Sequence, residues 1–259
     1  MNLLKLEFGR AVFSRGFLAG CTGFVCCALL GIWRPVLEAF TTDNLYEAPY
    51  YLDCLTEAIS SRYLLLALPV LAALPYAGSF VEDVKSRFLR SYLPRCSRQL
   101  YLACRTGAVA FSGAAVMAAG ALASAGILAL VLLPHEFKAD ILTAEAVGAM
   151  QNEMCLQILL RVFLLALSGS LWALIGAAAA AASMNRHLAF AAPFLFYYFL
   201  IILSTRYFPG LEGLNPQLWA AASGIWETVP QAAMLLTGEL ILAAALAVML
   251  LMERRLKDV

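Results

Sequence analysis

The chain of 259 residues is 63% hydrophobic and 14% charged, with a mean hydropathy of +0.81 and a formal net charge of +1. In a soluble domain about half of the residues are apolar, so this chain has too few polar side chains to cover a water-facing surface. The composition therefore predicts a membrane protein, with lipid as its solvent and no nucleic-acid partner.

Six apolar runs are long enough to cross a bilayer, which takes about 20 apolar residues in a helix. Backbone polar groups in lipid must be satisfied within the segment, so each run is predicted to be helical. No small-residue cleavage site follows the first run, which is expected to be a permanent span. We expect one all-α polytopic domain over residues 1–259, with spans at 16–33, 62–80, 107–133, 158–182, 188–205 and 233–252.

The distribution of charge predicts that both termini are cytoplasmic in a multi-pass cell-membrane protein. Lys and Arg are enriched in cytoplasmic loops. With six alternating spans, thirteen of the eighteen basic residues fall on the N-terminal side, and eleven of the seventeen acidic residues fall on the other side. The loop over residues 81–106 is therefore expected to be the longest cytoplasmic loop.

Reporter fusions test this topology. A reporter joined after Val259 is expected to signal from the cytoplasm, and one inserted near Asp140 from the outside, because an even number of spans separates the termini. A cytoplasmic signal at Asp140 would reject the topology and the placement of the 81–106 loop with it.

Residues 1–15 are too polar to span and predict an amphipathic helix in the inner headgroup layer. The alternative is a frayed basic terminus. The apolar face would carry Leu4, Phe8, Ala11 and Val12, and the opposite face Glu7, Arg10 and Ser14.

The first span has two sets of small residues at four-residue spacing, Gly16 with Gly20, and Gly23 with Cys27 and Gly31. Such residues let helix backbones approach closely, so they mark either a packing face within the chain or a dimer face. We expect this chain to pair with a second copy or with a similar protein, and crosslinking along spans one and five would test it.

Pro69 and Pro75 are expected to bend the second span near the loop, where a hinge could lie. The next stretch, "SFVEDVKSRFLR", predicts a short helix over residues 80–92 that ends before Pro94. Its apolar face carries Val81, Val84, Phe88 and Tyr92, and its opposite face Asp83, Arg87 and Arg90. The charged face is expected to meet a cytosolic partner; the alternative is that it only neutralises headgroups and sets topology.

No catalytic, cofactor or metal site is predicted. The chain has no GxxxxGK[ST], HExxH or GxSxG, so it cannot be a self-contained ATPase, and nothing supports hydrolytic catalysis. The two histidines, His135 and His187, fall on different sides of the membrane in this topology. Cys54 and Cys155 both fall outside, where a disulfide could form, but two free thiols are the expected state because nothing in the sequence fixes the distance between them.

Two features remain open. Glu239 is the one acid well inside a span, which makes it a candidate intramembrane polar site for substrate or ion. The alternatives are a pair with Arg161 or contact with the interface. Residues 206–232 either dip into the outer leaflet and return, or form an ordinary folded loop.

The stretch around the charged loop resembles the segment after the second span in six-span permeases of type-2 ABC exporters. The matching residues are Phe80, Asp83, Lys85, Ser86, Arg90, Arg98 and Tyr101. The family usually has Gly after the Ser, where this chain has Arg87. The resemblance implies an N-terminal interfacial helix and a cytoplasmic coupling helix that docks on a separate ATPase, with two permease chains forming the translocation path. It assigns docking to Phe80, Asp83, Arg87, Phe88 and Arg90.

The expected function is therefore the membrane subunit of an ATP-driven exporter, without catalytic residues or cofactors of its own. The alternative is a non-transporting anchor or assembly subunit whose loop recruits a soluble protein. The substrate stays open among peptide, drug, lipid and ion.

Overall fold

The computed structural model describes residues 3–41, 51–86, 97–139, 144–221, 223, 226 and 229–257. Every regular element in these residues is a helix and none is a strand, so the all-α prediction is confirmed. The helices are α1 (Leu3–Val12), α2 (Arg15–Thr41), α3 (Tyr51–Ile59), α4 (Arg62–Ala73), α5 (Ser79–Lys85), α6 (Arg98–Ala139), α7 (Ala144–Ser183), α8 (Leu188–Ile202), α9 (Pro216–Ala221) and α10 (Pro230–Lys257).

Five of these helices are long and apolar enough to cross a membrane, namely α2, α6, α7, α8 and α10. The pair α3 and α4 passes the same test together across a bend of 55°, which makes six spans if the pair is counted as one. Large apolar side chains lie on the outside of the bundle, for example Leu122 at 72% exposed and Leu130 at 81%. These helices indicate a membrane-embedded, multi-pass protein.

The second predicted span differs from its expected form. α4 has 12 residues, about 18 Å of helix, which is too short for a hydrocarbon core of about 30 Å. The bend lies at its start, where Ser61 caps the helix by accepting a hydrogen bond from the Leu64 amide at 3.4 Å. Pro69 lies inside α4, and the helix ends at Ala73 before Pro75. The 55° bend between α3 and α4 therefore lies at Ser60 and Ser61, on the opposite side of α4 from Pro75.

α7 is the central helix of the bundle: it contacts α4, α6, α8, α9 and α10. Half of its span window is buried, whereas only 11% of the α10 window is. One hydrophobic cluster joins α2, α3, α4, α6 and α7 around Phe24, Leu64 and Trp172. A second cluster, around Phe80 and Tyr101, lies at the end of the bundle that carries α1 and α5.

Glycines bring the backbones of α6 and α7 together. A Cβ atom at Gly113 would lie 2.4 Å from the carbonyl oxygen of Gly169, and one at Gly169 would lie 2.6 Å from that of Gly113. Real side chains do not approach a backbone so closely, so any residue larger than glycine would force the two helices apart.

The glycines of the first span serve the same purpose inside the chain. A Cβ at Gly16 would lie 2.3 Å from the Leu74 carbonyl oxygen, and one at Gly20 3.2 Å from that of Leu71. Gly31 faces Ser61 in the same way. These residues therefore pack α2 against α4, so the interpretation of this stripe as a dimer face is wrong.

The segment after α8 folds back onto the bundle. It continues as a π-helical turn (Leu203–Tyr207), a 3-10 turn (Glu212–Leu214) and α9, which contacts α4, α7 and α8. Trp219 on α9 is 7% exposed and donates its indole N–H to the Gly213 carbonyl at 2.7 Å. Within the described part of residues 206–232, α9 is thus a packed helix with a buried tryptophan, whereas residues 206–211 are exposed.

Candidate functional site

α1 packs into the bundle through its charged face as well as its apolar one. Ala11 is fully buried and Phe8 meets Phe111 of α6 edge-on, with ring centroids 4.6 Å apart. Glu7, which the helical pattern places on the polar face, is only 1% exposed. The expectation that Glu7 faces water or headgroups is therefore wrong, because this carboxylate has partners inside the protein.

α5 is also turned differently from its sequence-based prediction. It ends at Lys85, and residues 87–96 lie outside the described residues, so the predicted roles of Arg87, Phe88 and Arg90 concern residues that are not described. Asp83 was expected to project toward a partner, but it is 3% exposed, and Phe80 is fully buried. Both side chains attach α5 to the bundle, so neither presents a surface for docking.

Arg105 of α6 is the centre of a buried ionic cluster, formed by Glu7, Arg10, Tyr76, Asp83 and Arg105. Its Nη1 atom lies 2.7 Å from Glu7 Oε2 and 2.9 Å from Asp83 Oδ2. The same nitrogen donates to the hydroxyl of Tyr76 at 2.9 Å, and its guanidinium carbon lies 4.6 Å from the centroid of the Tyr76 ring. Arg105 is fully buried, although the sequence places it in a loop.

Arg10 closes the cluster from the partly exposed side. It contacts both carboxylate oxygens of Asp83, with Nη2 to Oδ1 at 2.9 Å and Nη1 to Oδ2 at 3.4 Å, and its Nη1 lies 3.7 Å from Glu7. The hydrogen bond to Asp83 raises the pKa of the Arg10 guanidinium. Burial raises the pKa of Tyr76, whose hydroxyl donates to Glu7 Oε2. Tyr76 is therefore a neutral donor at neutral pH.

The charges of the cluster balance, with two guanidinium groups and two carboxylates. Buried pairs of this kind gain little net stability because desolvation offsets the attraction, but losing one partner leaves an uncompensated charge. Arg105 Nε and Nη2 also have no hydrogen-bond partner among the described residues. The arrangement therefore suits positioning better than stabilisation: it fixes α1, α5 and the start of α6 relative to one another.

Polar contacts near the cluster tie further elements to the same end. On the solvent side of α5, Glu82 forms an ion pair with Arg186 in the turn between α7 and α8. Arg255, near the end of α10, donates to the carbonyls of Ala181 and Ala182 at the end of α7. This end therefore joins α1, α5, α6, α7, α8 and α10.

The other predicted site residues lie elsewhere. Glu239 is exposed on α10 and has no ion pair within the described part of the chain. Arg161, its suggested partner, donates to Ser60 Oγ at 3.0 Å instead. Cys54 is buried and Cys155 is exposed, and the two form no disulfide.

Sequence reasoning missed the cluster because the sequence places four of its five members on polar faces or in a loop and the fifth, Tyr76, near the end of a span. A signal was nevertheless present: Glu7, Glu82 and Asp83 are acidic residues in segments where basic residues dominate. An acid in such a segment weakens attraction to anionic headgroups, which favours a protein partner for that acid.

The fold and this site define an all-helical, multi-pass membrane protein in which a buried ionic cluster connects the helices at one end. Comparisons with protein families, with curated proteins and with solved structures each gave no match.

Proposed function

We propose that the chain is the membrane subunit of an ATP-driven exporter, coupled to a separate cytoplasmic ATPase through the end that carries α5. The observation that supports this most is how α5 is attached. A seven-residue helix is held on one side by the buried Phe80 and Asp83 and on another by the Glu82–Arg186 pair.

These attachments would allow a push on α5 to reach several spans at once. Asp83 forms ion pairs with Arg105 of α6 and with Arg10 of α1. Glu82 forms an ion pair with Arg186 in the turn between α7 and α8. Salt bridges and packed side chains can carry coupling between elements that move as rigid units. A helix that served only to set topology would need no buried carboxylate.

The proposal separates anchoring from docking. Phe80, Asp83 and the Glu82–Arg186 pair anchor α5, whereas the exposed Lys85 and the residues that follow, Arg87 to Arg90, would form the contact surface. The ATPase would present acidic side chains to this surface. The pairing with a second permease chain and the cytoplasmic orientation are parts of the same proposal.

The test is co-purification of the chain from its native membrane with a P-loop ATPase, together with ATP hydrolysis and transport in proteoliposomes. A surface variant, Lys85→Glu with Arg87→Glu and Arg90→Glu, is expected to lose docking, because a triple reversal turns attraction into repulsion. An anchor variant, Asp83→Asn, is expected to keep docking and to uncouple hydrolysis from transport. It retains the shape of the side chain but removes its charge from Arg10 and Arg105.

Exposed Arg254→Glu, a charge reversal at the same end but on α10, is the control for location and should retain docking. If the surface variant docks and transports like the parent, the exporter proposal is rejected. If the partner binds but its nucleotide state never affects the membrane chain, the alternative of an anchoring subunit is favoured.

A further inference from the structure

The outward face of α10 carries a charge where a lipid-facing helix would be apolar. Its large exposed residues are leucines, at positions 235, 242, 246 and 250, each at least 60% exposed. Glu239 is exposed in the middle of this row. α10 is also the least buried of the five long apolar helices.

Glu239 lies deep in the span. It follows Pro230 by nine residues, about 13–14 Å along the helix, in a span that runs from Pro230 to Leu256. Its Cα atom is therefore about 6 Å from the level of the span's midpoint at residue 243. Acidic residues at this depth are expensive in lipid and almost always face protein or water.

No described residue of the same chain relieves that cost. Glu239 has no ion pair among the described residues, and the exposed basic side chains that the structure describes, such as Arg34, Arg206 and Arg254, lie near the span ends. The carboxyl group therefore needs a partner other than the described residues of its own chain, and a second copy of the chain would supply one.

The spacing of the row suits a second helix. Leu235, Glu239, Leu242 and Leu246 follow one another at intervals of four, three and four residues, the pattern of a left-handed helix pair with one polar position in its seam. Gly238 beside the row has no atom within 4 Å of the place where a Cβ would be, so this side is open to a close approach.

We propose that a second copy of this chain covers the face, with two α10 helices packed side by side around a two-fold axis. At such an axis a residue meets its own copy. A carboxyl group suits this position because two carboxyl groups that share a proton can donate to and accept from each other. The leucines above and below Glu239 then pack against their copies and exclude lipid from the polar pair.

The proposed function includes pairing with a second permease chain, and this inference identifies the surface through which two copies would meet. The contact between the copies does not itself require transport. The α10 surface also replaces the glycine face of α2, which is already occupied within the chain, as the site of contact between copies.

Cysteine crosslinking in membranes tests the surface directly. In a background with the seven native cysteines replaced, Leu235→Cys, Leu242→Cys and Leu246→Cys are each expected to give crosslinked dimers. Leu122→Cys and Leu130→Cys on α6 are matched controls, because both leucines are equally exposed but lie on another helix. They are expected to remain monomeric under the same oxidation.

Variants at Glu239 test the polar pair. In a dilution series in phosphatidylcholine liposomes followed by energy transfer between labelled chains, Glu239→Leu is expected to raise the dimer dissociation constant about 3- to 30-fold, the range for one interhelical hydrogen bond. Glu239→Gln, which still donates and accepts, should stay within about threefold of the parent.

The inference is overturned if the α10 cysteines crosslink no better than the α6 controls, or if Glu239→Leu dimerises like the parent. Dimers that crosslink through another face while the ATPase still docks and drives transport would reject this surface and leave the proposed function standing. Crosslinking through α10 without any ATPase docking would support this surface and reject the proposed function.

Discussion

Arg105→Met is expected to lower the free energy of unfolding by about 3–5 kcal/mol, the typical loss when one member of a buried ion pair is removed. Methionine replaces the aliphatic part of the arginine side chain but not its guanidinium group, so most of the loss would come from the removed charge and hydrogen bonds. Without the guanidinium group, Glu7 and Asp83 remain buried, and Arg10 alone must compensate two carboxylates.

The matched control is Arg98→Met, at the start of the same helix but exposed, for which a change within about 0.5 kcal/mol is expected. Thermal and denaturant unfolding in detergent would compare the two variants. A double variant with Glu7→Gln should recover part of the loss, since it removes one of the uncompensated carboxylates. Equal melting of Arg105→Met and Arg98→Met would show that the ionic cluster does not hold this end together.

Gly113→Leu is expected to separate α6 from α7 and to lower stability by at least about 1–3 kcal/mol, as overpacking of a closely packed interface does. The first atom of the new side chain would lie 2.4 Å from the Gly169 carbonyl oxygen and 2.7 Å from the Cβ of Ala173. A backbone oxygen cannot rotate away as a flexible side chain can, so the helices themselves must move.

Gly126→Leu on the same helix is the control, because nothing lies within 4 Å of its Cβ position and only helix propensity changes. Gly113→Ala should fall between the two: alanine favours the helix by about 1 kcal/mol but still meets the carbonyl. Unfolding in detergent would rank the three variants. A Gly113→Leu protein as stable as Gly126→Leu would mean that the α6–α7 contact is not tight in solution.

The membrane class and the approximate positions of the spans could be predicted because each depends on local hydropathy alone. Runs of apolar residues become helices in lipid whatever they pack against, since the backbone must satisfy itself. The helix ends could not be predicted in this way. α6 begins at Arg98, before its expected span, because Arg105 is neutralised by partners from α1 and α5 and so can be buried.

The orientation of the charged helices also lay beyond the sequence. A helical wheel separates polar from apolar faces, but it cannot distinguish a polar face in water from one paired with another helix. Glu7 and Asp83 lie on polar faces that are paired with another helix, because one nitrogen of Arg105 contacts both carboxylates. Glu82 and Asp83 are neighbours on one short helix, and only the packing decided that the first is exposed and the second buried.

By itself, then, the sequence determined that this is an all-helical, multi-pass membrane protein, since composition and apolar run length act residue by residue. The tertiary structure alone decided which glycines are used within the chain, where the second span bends and which charges meet in the buried cluster. These features depend on residues far apart in the chain: 98 positions separate Glu7 from Arg105, and their contact exists only once α1 and α6 lie side by side. Glu239 shows the opposite case, because its depth could be read from the sequence, whereas its outward direction required the packed bundle.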